Sequence, residues 1–277
     1  VRAAAQMVAM NAPARLNRAL IRVSGPDARG FLNNLLTQNL DRLDAAGVLY
    51  GALLTPQGKV LADMLIWADG DGVVLDLDPS RADDIERRLT MYKLRANVSL
   101  DRDARSVLWS TQRFDGALVD PRLPGLGWRR LGDDSGGWGD AAYDAHRLAL
   151  GVPDLARDAK PDEVFGLEAL LEELNGVDFK KGCFVGQENV SRMKRRATTR
   201  KKFCPIGFEG AALAYGAAIK AGEAELGEVR TGVAGRAIAL LRLDRAVAAR
   251  EPMYAEGRPL RLDPPEWLAL PAANADD

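Results

Sequence analysis

The stretch Lys181-Gly182-Cys183-Phe184-Val185-Gly186-Gln187-Glu188 carries the densest functional signal of this chain. Its two glycines allow backbone amides to approach a ligand closely. The last two residues lead into a helix predicted over residues 188–195, and amides at a helix start favour an anion or a thiolate. Cys183 lies just before that start and two residues after Lys181, and both features make a thiol more reactive. The alternative interpretation is a small buried apolar residue, the usual environment of an unpaired cysteine.

A run of seven cations without an acid follows this stretch within residues 192–202. It consists of Arg192, Lys194, Arg195, Arg196, Arg200, Lys201 and Lys202. The run is interpreted either as a solvated face or as a clamp for a polyanion, such as a polyglutamate tail or RNA phosphates. No aromatic residue is interleaved before Phe203, so the pattern gives little support to stacking on single-stranded RNA.

The amino-acid composition limits the kinds of partner and of metal site that this chain can have. The 277 residues carry a net charge of −1, so any nucleic acid or membrane partner would have to be recognised by a local patch. Two cysteines favour a reducing compartment over a disulfide framework, and with one histidine they are too few for a zinc site built from four Cys or His ligands. No apolar run approaches the roughly 18 residues of a membrane span. Residues 1–25 contain four arginines and no acid, as transit peptides do, but they are interpreted as a short tail followed by structure.

The order of predicted elements gives an α+β fold. Strands are expected at residues 19–23, 50–54, 60–67, 73–77, near 98, at 107–109 and at 128–131, with helices near 28–36 and at 81–92. Further helices are expected at residues 143–150 and 167–174. Short strands at residues 203–208, 229–233, 237–243 and 260–262 predict a small antiparallel barrel. The predicted division is residues 1–200 and 201–277, with residues 272–277 as a disordered acidic tail.

Asp63 is the one acid inside an apolar, strand-like run of the predicted hairpin. It is interpreted either as a ligand-binding carboxylate in the interior or as a residue that faces water, given the alternation around it. Trp67, which follows on the same strand, can stack on a flat heterocycle, although core packing is the more common use of such a residue.

The stretch at residues 181–188 resembles the signature of the YgfZ branch of the folate-binding superfamily that contains the glycine-cleavage T-protein. Weaker resemblance covers most of the chain: Val23 to Leu36 is similar to the family's first strand and helix, Gly58 to Asp63 to its hairpin, and Gly227-Glu228-Val229 to its C-terminal barrel. The resemblance implies three lobes, namely two interleaved α+β lobes and a small antiparallel β-barrel, around a central cavity that binds tetrahydrofolate, with or without a polyglutamate tail. It also implies that Lys181 and Cys183 are the positions most closely tied to function.

The implied function is that of a folate-binding accessory protein for the assembly or repair of iron–sulfur enzymes, including those that modify tRNA. Lys181 and Cys183 would form the functional pair, and the expected folate contacts are Asp63, Gly182, Gly186, Gln187, Glu188 and Arg192. Expected partners are iron–sulfur enzymes or their assembly machinery, with tRNA involved indirectly and no membrane. The compartment would be the cytoplasm of a bacterium or the mitochondrial matrix of a eukaryote.

Two departures from the aminomethyltransferases argue against glycine cleavage. Their paired hairpin acids correspond to Ala62-Asp63, and their Glu-Ala-Gly corresponds to Ala149-Leu150-Gly151, so one pterin-binding carboxylate is missing. Two other functions stay open: a folate-dependent one-carbon transferase, in which Asp63 lies nearest the reacting nitrogen, and a tRNA-binding module that uses residues 192–202.

Overall fold

The computed structural model describes residues 12–133, 136–196 and 199–271. The predicted tail at residues 272–277 lies outside the described residues. Within the described ranges, no helix is both long enough and apolar enough to cross a bilayer.

The strands follow one another along the described chain in three groups. They are β1 (Ala14–Leu16), β2 (Ala19–Ser24), β3 (Val48–Leu54), β4 (Val60–Asp69), β5 (Gly72–Leu77), β6 (Ser99–Asp103), β7 (Ser106–Ser110), β8 (Leu118–Val119), β9 (Trp128–Gly132), β10 (Lys201–Phe208), β11 (Ala218–Ala221), β12 (Ala224–Val233), β13 (Arg236–Arg242), β14 (Met253–Ala255) and β15 (Arg258–Leu262).

The α-helices occupy the connections between these strands. They are α1 (Ala28–Leu35), α2 (Leu43–Ala46), α3 (Pro79–Tyr92), α4 (Asp140–Ala149), α5 (Leu155–Asp158), α6 (Gln187–Arg196) and α7 (Leu243–Ala248). The longest, α3, begins as its sequence predicts: the Asp78 side chain accepts a hydrogen bond from the Ser80 amide, and Pro79 occupies the first turn.

Three antiparallel sheets form the architecture. The first has the order β3-β4-β5-β2-β6, the second the order β1-β7-β9-β8, and the third closes into a barrel, β10-β13-β12-β11-β14-β15. The second sheet takes β1 from before the first sheet and β7 to β9 from after it, so the two lobes are interleaved. The predicted α+β fold with a C-terminal antiparallel barrel is therefore confirmed.

The first sheet separates two hydrophobic cores. Its outer face packs against α1 and α3 through Leu49, Leu53, Met64 and Ile66. Its inner face, which carries Tyr50, Leu65 and Trp67, joins a larger core that continues through the second sheet into the barrel. Because side chains alternate along a strand, residues two apart on β4 share a face. The inner face therefore looks into the middle of the molecule.

The predicted helix at residues 167–174 is wrong. This segment forms successive turns, and Leu170 and Asn175 have positive φ angles of 62° and 59°, which a right-handed helix excludes. The Glu168 carbonyl accepts a hydrogen bond from Phe203 of β10 instead of from a helical partner. The apolar residues of the segment are buried on all sides. Their spacing therefore reflects the burial of the whole segment and not the apolar face of a helix.

The other predicted elements agree with the structure to within a few residues, whereas β1, β8, β11, β14, α2, α5 and α7 were not predicted. The barrel begins at Lys201. The division into residues 1–200 and 201–277 as domains stays a prediction.

Candidate functional site

The segment that precedes the signature is tied to the chain that follows α1. The Thr37 hydroxyl donates to the Gly176 carbonyl at 2.5 Å, and the Gln38 side-chain amide donates to the Asn175 carbonyl at 2.8 Å. The Asp178 amide in turn donates to the Thr37 carbonyl at 3.0 Å. These bonds fix the path of the chain as it enters the signature segment, which we define as residues 181–188.

Lys181 continues this attachment with its side chain. Only 7% of the residue is exposed, and its ammonium donates to the carbonyls of Asn33, Leu36 and Gln38 at 2.6, 2.7 and 2.8 Å. Burial lowers the pKa of the ammonium to about 8, and the charges of Asp178 and Asp41 oppose part of that fall. An ammonium has three N–H donors, and all three are used. The role that the structure shows for Lys181 is to hold the signature segment against α1.

Gly186 makes the closest approach in the segment, and it approaches the chain's own hairpin. It has a φ of 83°, and a Cβ there would lie 2.6 Å from the Thr55 carbonyl oxygen in the turn between β3 and β4. Asn189 reinforces the contact by donating its side-chain amide to the Gln57 carbonyl at 2.9 Å. Gly182 differs, because a Cβ there would meet no atom within 4 Å. One glycine is therefore required by packing, and the other faces open space.

Cys183 is exposed between these two anchored positions. The next residue, Phe184, is 7% exposed, and its ring centre lies 5.3 Å from the Lys181 ammonium. The interpretation of Cys183 as a buried apolar residue is therefore wrong. It describes Cys204 instead, which is fully buried in β10, where burial raises the pKa of the thiol to about 12. A functional role of Cys183 stays a prediction.

The remaining predicted contacts of the signature region lie at the start of α6. Gln187 is half-buried and Glu188 is exposed, and neither side chain makes a hydrogen bond to another described residue. Arg192 is exposed and donates to the Asn189 side-chain oxygen. These side chains are available to a ligand or partner, and their roles stay predictions.

Asp63 lies on the inner face of the first sheet and is half-buried. The Tyr50 hydroxyl donates to its carboxylate at 3.1 Å. Burial raises the pKa of the Asp63 carboxyl, and the charges of Arg18 and Arg122 oppose part of that rise. The Arg122 guanidinium also lies 5.6 Å from the centre of the Tyr50 ring.

Two buried polar atoms without a hydrogen-bond partner share this inner face. They are Trp67 Nε1, a donor, and Asp76 Oδ2, an acceptor. The other Asp76 oxygen accepts from Arg18 Nε at 2.5 Å. Buried polar groups are normally paired, so unpaired ones mark a place where water or a ligand belongs. A crevice beside Asp63, bordered by Arg81 and Leu155, has a volume of about 10 Å³, which is room for one water.

A chain of hydrogen bonds connects Asp63 with the signature segment. Tyr50 donates its hydroxyl to Asp63, and its carbonyl accepts from the Gln38 side chain at 3.1 Å. The carbonyl of Gln38 in turn accepts from Lys181. The structure thus links the two predicted parts of the site through Tyr50 and Gln38, which sequence reasoning missed.

Charged residues of the second sheet complete the surroundings of Tyr50. Arg122 and Arg129 donate to Asp120 at 2.7 and 2.8 Å. Burial alone would raise the pKa of Asp120, but the two guanidinium groups outweigh it and lower the pKa to about 2. A signal for this polar interior was present in the acid of the otherwise apolar β5, Asp76, whereas nothing local in the sequence marked Tyr50.

The seven cations of residues 192–202 divide into paired and unpaired groups. Lys194 pairs with Glu172 at 2.5 Å and lies 3.8 Å from the ring centre of Phe179, and Lys202 pairs with Glu173. In the part of the chain that the structure describes, the exposed cations without an ion pair in the run are Arg195, Arg196, Arg200 and Lys201, besides Arg192.

Comparison with known families and structures agrees with this architecture. Residues 200–270 match the family model described as the CAF17 C-terminal beta-barrel domain. The crystal structure of the glycine cleavage system aminomethyltransferase T from Bartonella henselae superposes with a TM-score of 0.73, covering 92% of this chain and 86% of that one. The sequence identity is 14%, so this likeness shows the fold alone.

The similar curated proteins are iron–sulfur cluster assembly factors. The chain is 30% identical over 235 residues to the mitochondrial IBA57 homolog of Neurospora crassa, covering 71% of this chain and 54% of that protein. It is 32% identical over 229 residues to human mitochondrial IBA57, covering 69% and 64%. Mouse IBA57 is 29% identical over 270 residues, covering 81% and 75%. The chain thus spans between half and two-thirds of the length of the first two relatives.

Proposed function

Because this chain is homologous over most of its length to iron–sulfur cluster assembly factors of the IBA57 type, we propose that it supports the assembly or repair of iron–sulfur enzymes. Its clients would include enzymes that modify tRNA, and it would bind tetrahydrofolate. It would act in the mitochondrial matrix of a eukaryote or in the cytoplasm of a bacterium.

The observation that carries this proposal is an exposed thiol on a rigidly attached segment. Cys183 is exposed, while Lys181 on one side and Gly186 on the other hold the backbone against α1 and the hairpin turn. A fixed, accessible thiolate is a suitable ligand for iron or a nucleophile for sulfur. The Sγ atom of Cys183 would therefore contact the cluster. The cluster would be transferred by this protein and would not be a resident cofactor.

The partner would have to supply most of the ligands to such a cluster. Iron–sulfur clusters are generally held by four cysteine thiolates. The sequence has two cysteines, and Cys204 is fully buried in the barrel wall. Among the residues that the structure describes, no three Cys, His, Asp or Glu side chains are grouped to hold a metal ion. Transfer between Cys183 and ligands of a client or carrier protein fits these counts better than storage in this chain.

The inner face of the first sheet has the chemistry to hold a pterin ring. Asp63, with one oxygen bonded to Tyr50, and Asp76 Oδ2 are acceptors for ring N–H groups, and Trp67 Nε1 is a donor for a ring carbonyl. Bound tetrahydrofolate would supply a flat heterocycle with both kinds of group. In that arrangement Asp63 orients the ring, and Tyr50 holds the Asp63 carboxylate. The crevice beside Asp63 is smaller than the ring, so binding requires side chains of the inner face to move apart.

Complementation tests the role of the thiol. In a strain that lacks the corresponding gene, Cys183→Ala is expected to leave iron–sulfur enzyme activity at the level of the deletion. Cys204→Ala is the matched control, because it removes the other thiol from a buried strand, and it should restore activity at wild-type protein levels. Full restoration by Cys183→Ala would remove the thiol from the mechanism.

Calorimetry with tetrahydrofolate tests the second part of the proposal separately. We expect binding by the wild-type protein and at least about tenfold weaker binding by Asp63→Ala, since an orienting carboxylate is lost. Exposed Asp101→Ala on β6 serves as the control. Equal binding by all three proteins would place the ligand elsewhere, and no binding by any of them would remove tetrahydrofolate from the proposal.

A further inference from the structure

A groove between α6 and the barrel combines an apolar floor with charged walls. It has a volume of about 270 Å³ and is lined by Leu167, Met193, Leu243 and Leu270, together with the charged residues Lys194, Lys202 and Glu172. Leu270 is 38% exposed, so part of this apolar surface is open to water. Small-molecule sites usually have volumes of about 300–1,000 Å³, so this groove suits one or two side chains of a bound segment better than a cofactor.

The two lysines of the groove are paired within the chain, whereas two arginines near it are not paired with any described residue. The two lysines of the walls already pair with Glu172 and Glu173. Arg196 is exposed and lies three residues after Met193, hence on the same side of α6, and Arg200 directly follows the lining residue Thr199. In the described part of the chain neither arginine makes an ion pair. Arg196 and Arg200, each within three residues of a lining residue, are defined here as the rim of the groove, and they add two unpaired cations beside its apolar floor.

This combination distinguishes between classes of anionic partner. A single-stranded nucleic acid is generally held by a basic track with aromatic side chains on which bases stack. Here the neighbouring aromatics are unavailable, because Phe203 is fully buried and Phe179 lies under Lys194. Aliphatic side chains with a guanidinium border instead match an amphipathic helix, whose apolar anchors enter a groove while its acids meet the rim.

From these contacts we infer that the groove is a docking site for an acidic amphipathic segment of a partner protein. The inference rests on the proposed function, in which Cys183 meets a cluster held by a client or carrier. The segment's leucine-like anchors contact Met193 and Leu270, and its carboxylates pair with Arg196 and Arg200. Because Met193 belongs to α6, the helix that follows the signature segment, docking there would hold the partner on the element that adjoins Cys183.

Fluorescence anisotropy with a labelled model peptide tests the inference directly. The probe is a helical peptide of about 15 residues with leucines at i, i+3, i+4 and i+7 and glutamates on the other face. The wild-type protein should bind it, and Arg196→Glu/Arg200→Glu should bind at least about tenfold more weakly. The control Arg95→Glu/Lys220→Glu reverses two exposed cations outside the groove and should bind as the wild type does. Leu270→Asp, at the exposed edge of the floor, should weaken binding without altering the rim.

Each comparison has an outcome that overturns the inference. Equal binding by the rim variant and its control would show that Arg196 and Arg200 do not bind the peptide. Unchanged binding by Leu270→Asp would show that the apolar floor does not bind it. Tighter binding of hexaglutamate or single-stranded oligouridine than of the peptide would assign the surface to a general polyanion. The assay does not involve Cys183. If the peptide fails while Cys183→Ala still abolishes complementation, the docking site is wrong and the proposed function stands.

Discussion

Cys183 and Cys204 lie in two regions that are stabilised in different ways. Cys204 is in β10 of the barrel, with its side chain inside a closed sheet and flanked by apolar residues. Cys183 lies in the part of the signature segment that precedes α6 and has no regular secondary structure, and this part is held by three side-chain hydrogen bonds from Lys181 and by the contact of Gly186 with the hairpin turn. The barrel protects a thiol by burying it, whereas the signature segment keeps one exposed in a fixed position.

This difference shows how a loop can be positioned without a core of its own. Burial of apolar surface is not directional, but hydrogen bonds are. The segment donates to backbone carbonyls at the end of α1, which are unpaired in any helix and are therefore always available. The three hydrogen bonds of Lys181 thus fix the segment as the hydrogen bonds of a sheet would fix a strand, and they leave the Cys183 thiol exposed.

Thiol alkylation should give the largest contrast between the two regions. In the native protein iodoacetamide is expected to modify Cys183 at least about 1,000-fold faster than Cys204, because Cys204 reacts only after an opening of the barrel that costs several kcal/mol. Mass spectrometry of timed samples gives the two rates.

Two control proteins identify the site of modification. Cys183→Ser should take up no label under native conditions, and Cys204→Ser should label at the wild-type rate. In denaturant each should take up one label. Rapid native labelling of Cys183→Ser would show that the barrel wall opens easily, and the contrast would be lost.

Lys181→Met should produce the next largest effect, on stability. The substitution keeps most of the side-chain volume but removes the charged donor from three carbonyls. Leaving buried acceptors unpaired costs about 1–3 kcal/mol each, so the free energy of unfolding should fall by about 4 kcal/mol. Denaturant titration measures this loss, and hydrogen exchange should show faster exchange of the amides in residues 176–186.

The adjacent lysine supplies the matched control. Lys180 is exposed, and its side chain makes no hydrogen bond or ion pair with another described residue. Lys180→Met should therefore change the free energy of unfolding by less than about 0.5 kcal/mol. If the two variants are equally stable, the three bonds of Lys181 do not hold the segment.

Much of the fold could be predicted because its signals are local. The turn chemistry between β3 and β4, the proline at the start of α3 and the glycine-separated strands of the barrel each depend on a few consecutive residues. The segment at residues 167–174 could not be predicted in this way. Its leucines are buried because the core of the first sheet meets the core of the barrel at this segment. The spacing of apolar residues in the sequence does not reveal such a long-range contact.

The candidate site divides in the same way. The signature at residues 181–188 is contiguous, so Lys181, Cys183 and Gly186 were found from sequence. Their roles depend on distant partners: Lys181 was expected to form a functional pair with Cys183, but its three donors are used by carbonyls of residues 33–38. Tyr50, Gln38 and Arg122 were missed because only the folded chain brings them beside Asp63 and the signature segment.

Substitution of the two glycines of the signature should give the smallest of the three effects, and it should distinguish a glycine required by packing from one that faces open space. Gly186→Ala places a Cβ 2.6 Å from the Thr55 carbonyl at a φ of 83°, so we expect a loss of about 2–3 kcal/mol in unfolding free energy. Gly182→Ala meets no atom within 4 Å, and its cost should stay below about 1 kcal/mol. Denaturant titration of both variants measures the difference, and equal stabilities would contradict the contact between Gly186 and the turn. Complementation then separates packing from binding: if Gly182→Ala is stable but fails to restore iron–sulfur enzyme activity, the added methyl group occupies space that a ligand or partner needs beside Cys183.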